Sequence, residues 1–493
     1  DPAARAVERV AVIDVGSNSV RLVVFDGAAR SPAYFFNEKL MCGLGAGMGR
    51  TGRLNPGGRT RALSALERFA ALIRGMEAAP VIAVATAAVR EADDGPAFIA
   101  EVAARTGLEL SVIDGAEEAR LAAQGVLLGW PGAEGVVSDI GGASMELAAL
   151  AGGEVGARLS LPIGPLKLSA LPSRRARTRE IAAAMETATA RIGASPGALY
   201  LVGGAWRAVA RLDMARRGYP MSVQHEYRLT RRQVLATLDW MAATPDETLR
   251  KVAGVSRERL GLAPYAGEVL RALMAALRIR EVAVSGYGIR EGVLWDQMPE
   301  RLRARDPLIE ACRNAEATLA RMPGVGERLF AFVRPLFPAA GEARLRLVRA
   351  ACLLHDTNWR AHPDYRHEVC FDTATRANLG GLDHAGRVFL GLALLHRYKN
   401  SRAGTRLESL LGLLTDEQIA AATILGKAMR FGAMFAPGGL DQLAALGFQP
   451  RRKRLELRLE PEAAPLYGEV AAARFAALGK ALGAETSVRG AGR

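Results

Sequence analysis

Hydrophobic and polar positions along the chain fall into two textures. Over roughly the first three hundred residues, short β-branched runs alternate with segments of helical spacing. Arg59–Met76 sets Leu63, Leu66, Phe69, Ala70 and Leu72 on one helical face, and Val81–Ala85 is a short apolar strand. Ala97–Thr106 then reads as a helix, Leu110–Ile113 as a strand and Glu117–Leu128 as a helix. The style repeats with a helix at Arg174–Ile192, a strand at Leu199–Val202 and a helix opened by Gly203-Gly204 that runs to about Arg217. Such alternation predicts α/β layers. From Asp306 the strand signals fade and amphipathic helices take over, at Leu308–Arg321, Arg344–Leu354, Gly386–Arg397 and Asp416–Met429. Arg301–Pro307 reads as a linker, with Pro307 stopping a helix. A strand-like stretch at Arg454–Glu460 precedes a last helix around Gly468–Leu482, and Ser487–Arg493 reads as a frayed tail.

One internal repeat organises the first part. Asp14-Val-Gly-Ser-Asn-Ser-Val-Arg-Leu22 returns as Asp139-Ile-Gly-Gly-Ala-Ser-Met-Glu-Leu147. Each copy follows a β-branched run and leads to a turn signal, Asp26-Gly27 or Gly152-Gly153. The pattern predicts two β-hairpins whose tips carry Asp, Gly and Ser, hence a duplicated domain. At such tips glycine lets the backbone approach a ligand, and successive N–H groups with Ser17, Asn18, Ser19 and Ser144 offer donors to phosphate oxygens. Asp14 and Asp139 are candidate holders of a hydrated divalent cation. Two such tips across a cleft would make a phosphate-and-cation clamp.

The chain has 493 residues, half of them apolar and 24% charged, which suits two to four globular domains and excludes a fibrous or disordered chain. No apolar run is long enough to span a bilayer, and Asp1–Val10 is charged where a secretory signal would be apolar. Four scattered cysteines without a CxxC pair predict neither disulfide nor zinc ribbon, and point to a reducing cytoplasm. Net charge is +14, of which +10 falls in residues 301–493 (29 basic, 19 acidic). That excess suits a polyanionic partner, although a compositional preference for arginine accounts for charge alone equally well. Aromatic residues are only 6% and do not interleave with the basic clusters at Arg174-Arg175, Arg177, Arg231-Arg232 and Arg451–Arg454. This disfavours nucleic acid as the partner, because base-stacking platforms need aromatics.

The two hairpins resemble the phosphate-binding elements of the actin, sugar kinase and Hsp70 superfamily. The fuller pattern is similar to one branch, the exopolyphosphatase and guanosine pentaphosphate phosphatase family. The strings that carry the resemblance are AVIDVGSNSVRLVVFD at 11–26, GLGAGMGRTGRL at 43–54, ATAAVREA at 85–92 and DGAEEARL at 114–121. They continue with SDIGGASMEL at 138–147, LSLPIGPLKLS at 159–169 and LVGGAWRAVARL at 201–212. They occur in the family's order over residues 8–300.

The resemblance implies an α/β fold of two actin-like (ribonuclease H-like) lobes, 1–130 and 131–300. An all-α, HD-like C-terminal domain with a short β-containing tail would follow at 301–493. It implies Glu118 as the base for an attacking water, Asp139 and Glu146 as ligands of Mg²⁺ or another divalent cation, and Arg90 as a phosphate contact. Asp14, Gly16, Ser17, Asn18, Ser19 and Arg21 with Gly141, Gly142, Ala143 and Ser144 would complete the phosphate cradle. Ala143 departs from the family's third glycine and Met145 from its threonine. For Glu117 and Glu118 the alternative reading is a solvated first helical turn, where acids favour the macrodipole. Trp206 is read first as a helix-packing residue, and otherwise as a filler of the space a nucleotide base would need. Leu353-Leu-His-Asp356 looks like the metal centre of HD phosphohydrolases. It lacks an upstream histidine, so an incomplete metal set and a locally hydrogen-bonded pair both stay open. The expected activity is Mg²⁺-dependent, processive removal of terminal phosphate from inorganic polyphosphate by a cytoplasmic homodimer, with neither membrane nor nucleic acid as partner. Hydrolysis of guanosine pentaphosphate to the tetraphosphate stays open, as do a non-catalytic nucleotide or alarmone sensor and a sugar-kinase-like transferase.

Overall fold

The computed structural model describes residues 8–490, apart from 28, 194–196, 255–256, 403–406, 437 and 439. Residues 1–7 of the charged amino-terminal stretch and 491–493 of the expected tail therefore lie outside the described residues. The chain divides after Arg305 into two compact units. In the first unit, β1 (Val10–Val15) and β2 (Ser19–Phe25) form the first hairpin, and β3 (Tyr34–Met41) adds an antiparallel edge. On the other side of β1, β4 (Val81–Ala85) and β5 (Leu110–Val112) continue the sheet in parallel. The second lobe repeats this plan with the meander β6 (Gly135–Ile140), β7 (Met145–Ala151) and β8 (Glu154–Leu161). β9 (Ala198–Val202) pairs parallel to β6; β10 (Tyr227–Thr230) is the antiparallel edge on β11 (Glu281–Val284), which runs parallel to β9. The sheet orders are β3-β2-β1-β4-β5 and β10-β11-β9-β6-β7-β8. The expected α/β class of two duplicated actin-like lobes is the one observed.

Both faces of each sheet are covered, which is why the inner strands read as continuous apolar runs. In the first lobe Ala11, Ile13, Leu22 and Val24 face a core shared with Leu66 and Phe69 of the Pro56–Gly75 helix. Val12, Val23 and Phe25 face the opposite way, onto Leu121 and Leu128 of the Gly115–Gly129 helix and Val293 and Leu294 of the Ile289–Asp296 helix. The other side of the Gly115–Gly129 helix meets the second sheet through Ala122, Val126, Val137 and Tyr200. That helix is apolar nearly all round because it lies between two sheets. Two glycines permit its crossing with Ile289–Asp296. A Cβ on Gly125 would stand 2.2 Å from the Gly288 carbonyl oxygen, and one on Gly292 would stand 1.9 Å from that of Leu121.

The second unit is mainly helical with a β-containing tail, as expected, and its strands form more structure than the sequence suggests. β12 (Ala444–Gln449), β13 (Arg454–Leu459) and β14 (Glu485–Arg489) make a three-stranded sheet. β14 pairs parallel to β13 with Val488 opposite Leu457, so the first three residues of the expected frayed tail belong to a strand. Pro307 does not stop a helix; it opens one. It is the first residue of the Pro307–Leu319 helix, where a missing N–H costs nothing, and Asp306 caps that helix by accepting from the Leu308 and Ile309 amides. Within the expected linker, Glu300–Arg303 is a short helix.

The His355-Asp356 pair is held by its own neighbours. Cys352 O lies 2.7 Å from His355 Nδ1, Arg321 grips the Asp356 carboxylate from Nε at 2.8 Å, and Tyr398 Oη donates to His355 O. Among the described residues no three His, Cys, Asp or Glu side chains group to hold a metal ion. Local hydrogen bonding thus satisfies both His355 and Asp356. All four cysteines are buried and free, and no helix among the described residues is long and apolar enough to cross a membrane.

Candidate active site

The two hairpin tips open toward one cleft. β1, β4, β6, β9 and β11 deliver their carboxyl ends to it, the usual place for a ligand in open α/β sheets. At the first tip the Gly16 N–H donates to Ser19 O at 3.0 Å, and at the second the Gly141 N–H donates to Ser144 O at the same distance. The tips approach closely, since a Cβ on Gly142 would lie 3.7 Å from Ser17 Cβ. The cleft encloses about 210 Å³.

Its walls hold Asp14, Gly16, Ser17, Asn18, Ser19 and Arg21 from the first lobe, with Asp139, Gly141, Gly142, Ala143 and Ser144 from the second. Glu118 joins them from the first turn of the Gly115–Gly129 helix. Eleven of the expected phosphate and metal positions are therefore gathered with Glu118. Two are not on the wall. Glu146 is buried beside it on β7, opposite Asp139 in the hairpin register. Arg90, on the Ala87–Glu91 helix, donates to Ile113 O at 2.7 Å and stands 3.7 Å from Glu118 Oε2.

The adjacent acids separate cleanly. Glu117 is half-buried and pairs with Arg120, while Asp114 caps the helix by accepting from the Glu117 amide. Glu118 is only 6% exposed, and its Oε2 has no hydrogen-bond partner. Burial, then the neighbouring Glu146, Asp139 and Asp14, hold its carboxyl well above the usual carboxylate range. Burial and Asp14 push Asp139 up to about 6, against the pull of Arg207 and Arg290. Glu146 is raised to about 7, chiefly by burial, with Ser144 and Ser160 acting the other way; Ser160 Oγ donates to Oε1 at 2.8 Å, and Oε2 has no partner. Four acids crowded in low dielectric are unstable as anions without added positive charge.

Both departures from the family pattern are accommodated. Ala143 is not among the described residues with positive φ, so its methyl group strains no backbone. Met145 is fully buried in the second lobe's core, so that position does not present a side chain to the cleft. Gly203 does need to be glycine: its φ is +106° and a Cβ would stand 2.9 Å from Asp139 Oδ1. Trp206 is fully buried in the same core, a packing residue.

Three basic liners are not evident from sequence: Lys39 on β3, Arg207 on the Gly204–Arg216 helix and Arg290 at the start of the Ile289–Asp296 helix. Arg207 falls within the LVGGAWRAVARL string, which is the signal that could have found it; nothing local marks Lys39 or Arg290. Arg290 is half-buried with Nε unpartnered, and burial together with Arg290 lowers Arg21 to about 10. The cleft thus sets Arg21, Lys39, Arg207 and Arg290 around Asp14, Glu118 and Asp139. Cations beside poised acids suit an anionic ligand that brings a metal ion.

The sequence model described as the Ppx/GppA phosphatase family matches residues 23–301, and that of the exopolyphosphatase C-terminal domain matches 308–488. Exopolyphosphatase 1 of Mycobacterium tuberculosis is 29% identical over 306 residues, which cover 58% of this chain and 87% of the relative. The crystal structure of the Aquifex aeolicus member of the Ppx/GppA family superposes with a TM-score of 0.51 at 27% identity, over 59% of this chain and 97% of its own. An exopolyphosphatase from Cytophaga hutchinsonii, 24% identical, shares the fold with a TM-score of 0.54 over 59% of this chain and 99% of its own.

Proposed function

The chain belongs to the Ppx/GppA phosphatase family, a family of phosphoanhydride hydrolases, and from that premise we propose that it removes terminal phosphate from inorganic polyphosphate with Glu118 as the base. The observation that carries this reading is the buried, unpartnered Glu118 Oε2 on the wall of a cleft lined by hairpin tips and arginines. A carboxylate with raised proton affinity is a competent acceptor near neutral pH.

In this mechanism the hairpin tips grip the terminal phosphoryl group. The N–H groups of Ser17, Asn18, Gly142 and Ala143 make no backbone hydrogen bond among the described residues, so they suit phosphate oxygens. Arg21 and Arg290 offset the negative charge that spreads over the phosphoryl oxygens in the transition state. Glu118 orients a water and takes its proton as the water oxygen bonds to phosphorus. The bridging P–O bond breaks, and orthophosphate and the shortened chain leave. Arg90, 3.7 Å from Glu118 Oε2, holds that carboxylate in place.

The residues fit a divalent cation. Asp139 and Glu146 would hold it, and Glu146 Oε2 is buried without a partner. Two carboxylates match Mg²⁺, which keeps several of its waters. When bound, Mg²⁺ adds positive charge against the phosphoryl oxygens. A homodimer is part of this reading and is checked by sedimentation.

The test is phosphate release from long-chain polyphosphate and from guanosine pentaphosphate, side by side, with and without Mg²⁺. Glu118→Gln should bind polyphosphate like the wild type yet lose on the order of 10²-fold or more in kcat, because an amide accepts no proton. Near wild-type turnover would remove Glu118 from the role. Faster turnover of the guanosine substrate would reassign the substrate, and turnover of neither would leave a sensor.

A further inference from the structure

The loop that follows β11 forms one side of the cleft and ends in Arg290; Gly286, Tyr287, Gly288 and Ile289 line the wall with it. Most of the loop's backbone bonds are local. Ser285 Oγ donates to Tyr287 O at 2.8 Å and accepts the Tyr287 N–H at 3.0 Å, and Glu291 accepts the Gly288 N–H at 2.7 Å. The Gly286 N–H differs, for it donates at 3.1 Å to Nδ1 of His225, 61 residues earlier. His225 is the single histidine before His355, and its surroundings are shaped to it. The ring is buried, its centroid 4.7 Å from that of Trp130 and 4.6 Å from that of Tyr287. Two glycines make room: a Cβ on Gly129 would stand 2.9 Å from His225 Cε1, and one on Gly286 would stand 3.3 Å from His225 Cβ. Glu226 takes a φ of +66°, a left-handed conformation that a long side chain rarely adopts, and its N–H donates to Val284 O at 2.9 Å as the chain turns into β10. Glu226 Oε1 lies 3.9 Å from His225 Nε2. A carboxylate there favours the ring proton on Nε2 and leaves the Nδ1 lone pair for the amide. On the other side of His225, Gln224 donates to Arg207 O at 2.6 Å, and Arg207 reaches Gly286 O at 3.4 Å. Adjacent side chains of one segment therefore back two basic walls of the cleft, Arg207 and the loop that leads to Arg290.

We propose that His225 is a positioning residue: by accepting the Gly286 amide it fixes the Ser285–Arg290 loop, and through the loop the guanidinium of Arg290, at the cleft. Packing alone does not select the residue, because other side chains fill the space between Trp130 and Tyr287. The acceptor at Nδ1 is what histidine adds. Without it the Gly286 N–H turns toward another acceptor and takes the loop with it. A shift on the order of 1 Å at a group that meets the transition state costs up to roughly 10²-fold in rate. The inference rests on the reading of the cleft as the phosphate site, with Arg290 acting on the transition state.

The test compares His225→Leu with His225→Asn in the full-length protein. The two side chains have the same shape, and only asparagine keeps an acceptor, its Oδ1, where Nδ1 stands. Both lose the ring's packing, so a merely structural role predicts that leucine, the more easily buried, does at least as well. Activity should rank the other way. In the leucine variant kcat for polyphosphate should fall on the order of tenfold or more with KM nearly unchanged, and asparagine should recover most of that loss even if it melts lower. Arg290→Met should mask the substitution, so that adding His225→Leu lowers kcat no further. His225→Phe, which keeps a ring between Trp130 and Tyr287, should share the loss and serves if leucine does not fold. Hydrogen exchange over residues 285–290 gives a readout independent of turnover: it should be faster in the leucine than in the asparagine variant, with the β6–β7 hairpin alike in both. Equal kcat in the two variants, or an undiminished effect of leucine on top of Arg290→Met, would overturn the proposal. If the wild type hydrolyses neither polyphosphate nor guanosine pentaphosphate, the reading of the cleft fails and the exchange comparison alone decides whether His225 fixes the loop: a difference supports it and equal exchange overturns it.

Discussion

At matching register positions of the two hairpins, Asp14 faces Arg21 across β1 and β2, whereas Asp139 faces Glu146 across β6 and β7. The backbones are copies down to the 3.0 Å hydrogen bond that closes each tip. In the first, burial raises Asp14, while Arg290, Arg21 and Lys39 all act against that rise. In the second, no cation lies opposite the aspartate, and burial lifts Asp139 to about 6 and Glu146 to about 7. One duplicated element has thus acquired two electrostatic characters through one side chain. The first hairpin carries its own positive charge and suits phosphate directly. The second carries unbalanced negative charge and suits a metal ion that in turn meets phosphate.

The strongest challenge to this division is Asp139→Asn with Glu146→Gln, which gives the second hairpin no charge to offer a cation. We expect kcat to fall on the order of 10²- to 10³-fold, as for loss of a major electrostatic contact, with saturating Mg²⁺ moved to much higher concentration. An unchanged Mg²⁺ titration would put the metal elsewhere. Next in size is Arg21→Glu, which makes the first hairpin a charge copy of the second. KM for polyphosphate should rise on the order of tenfold or more, because a phosphate contact becomes a repulsion; an unaltered KM would break the assignment of the first hairpin to substrate.

A third expectation concerns pH and follows from the second hairpin's acids. Their folded-state proton affinities exceed those of the unfolded chain, so the folded protein gains from their protonation at low pH. That stability is lost as pH rises through about 6 for Asp139 and about 7 for Glu146. Without divalent cation the melting temperature should therefore fall between roughly pH 4 and pH 7 on account of these groups, since their unfolded values lie near 4. Mg²⁺ should raise it at about pH 8 and not at about pH 5, and Glu146→Gln should flatten the fall. Activity should run in the opposite sense and rise over the same window, because the acids must be ionised to act. The smallest effect is expected from Ser160→Ala, which removes the 2.8 Å bond to Glu146 Oε1. The acid limb of the rate profile should shift to higher pH by a fraction of a unit, since a hydrogen bond to the ionised form is lost.

Much of the fold and of the site is legible in the order of residues. The hairpins stand out because their signals are local: a β-branched run, an Asp-Gly tip and a repeat at fixed spacing. Helix Arg174–Ile192 and strand Val81–Ala85 fall where periodicity puts them. β8 alternates, with Val155, Ala157, Leu159 and Leu161 between Glu154, Gly156, Arg158 and Ser160, so its sequence carries the strand signal. β3 escapes a reading by pattern: it is the half-exposed outer strand of its meander and shows no clean alternation of apolar and polar positions. β14 reads as a tail for a similar reason: Glu-Thr-Ser-Val-Arg becomes a strand only because β13 offers it an edge.

What the sequence by itself determined, then, is the duplicated α/β plan, the two tips and the identity of their acids, because short-range turn chemistry and strand alternation encode them. Only the tertiary structure decided that Glu118 is buried while Glu117 beside it is paired at the surface. Helical phase distinguishes the two only once a sheet covers one side. It alone brought Arg290 within reach of Asp14 and Asp139, across more than a hundred residues of chain from either. It alone set the His225 ring beside the Gly286 amide. Electrostatic energy depends on distance in space and on dielectric, and neither is written in the order of residues until the chain is packed.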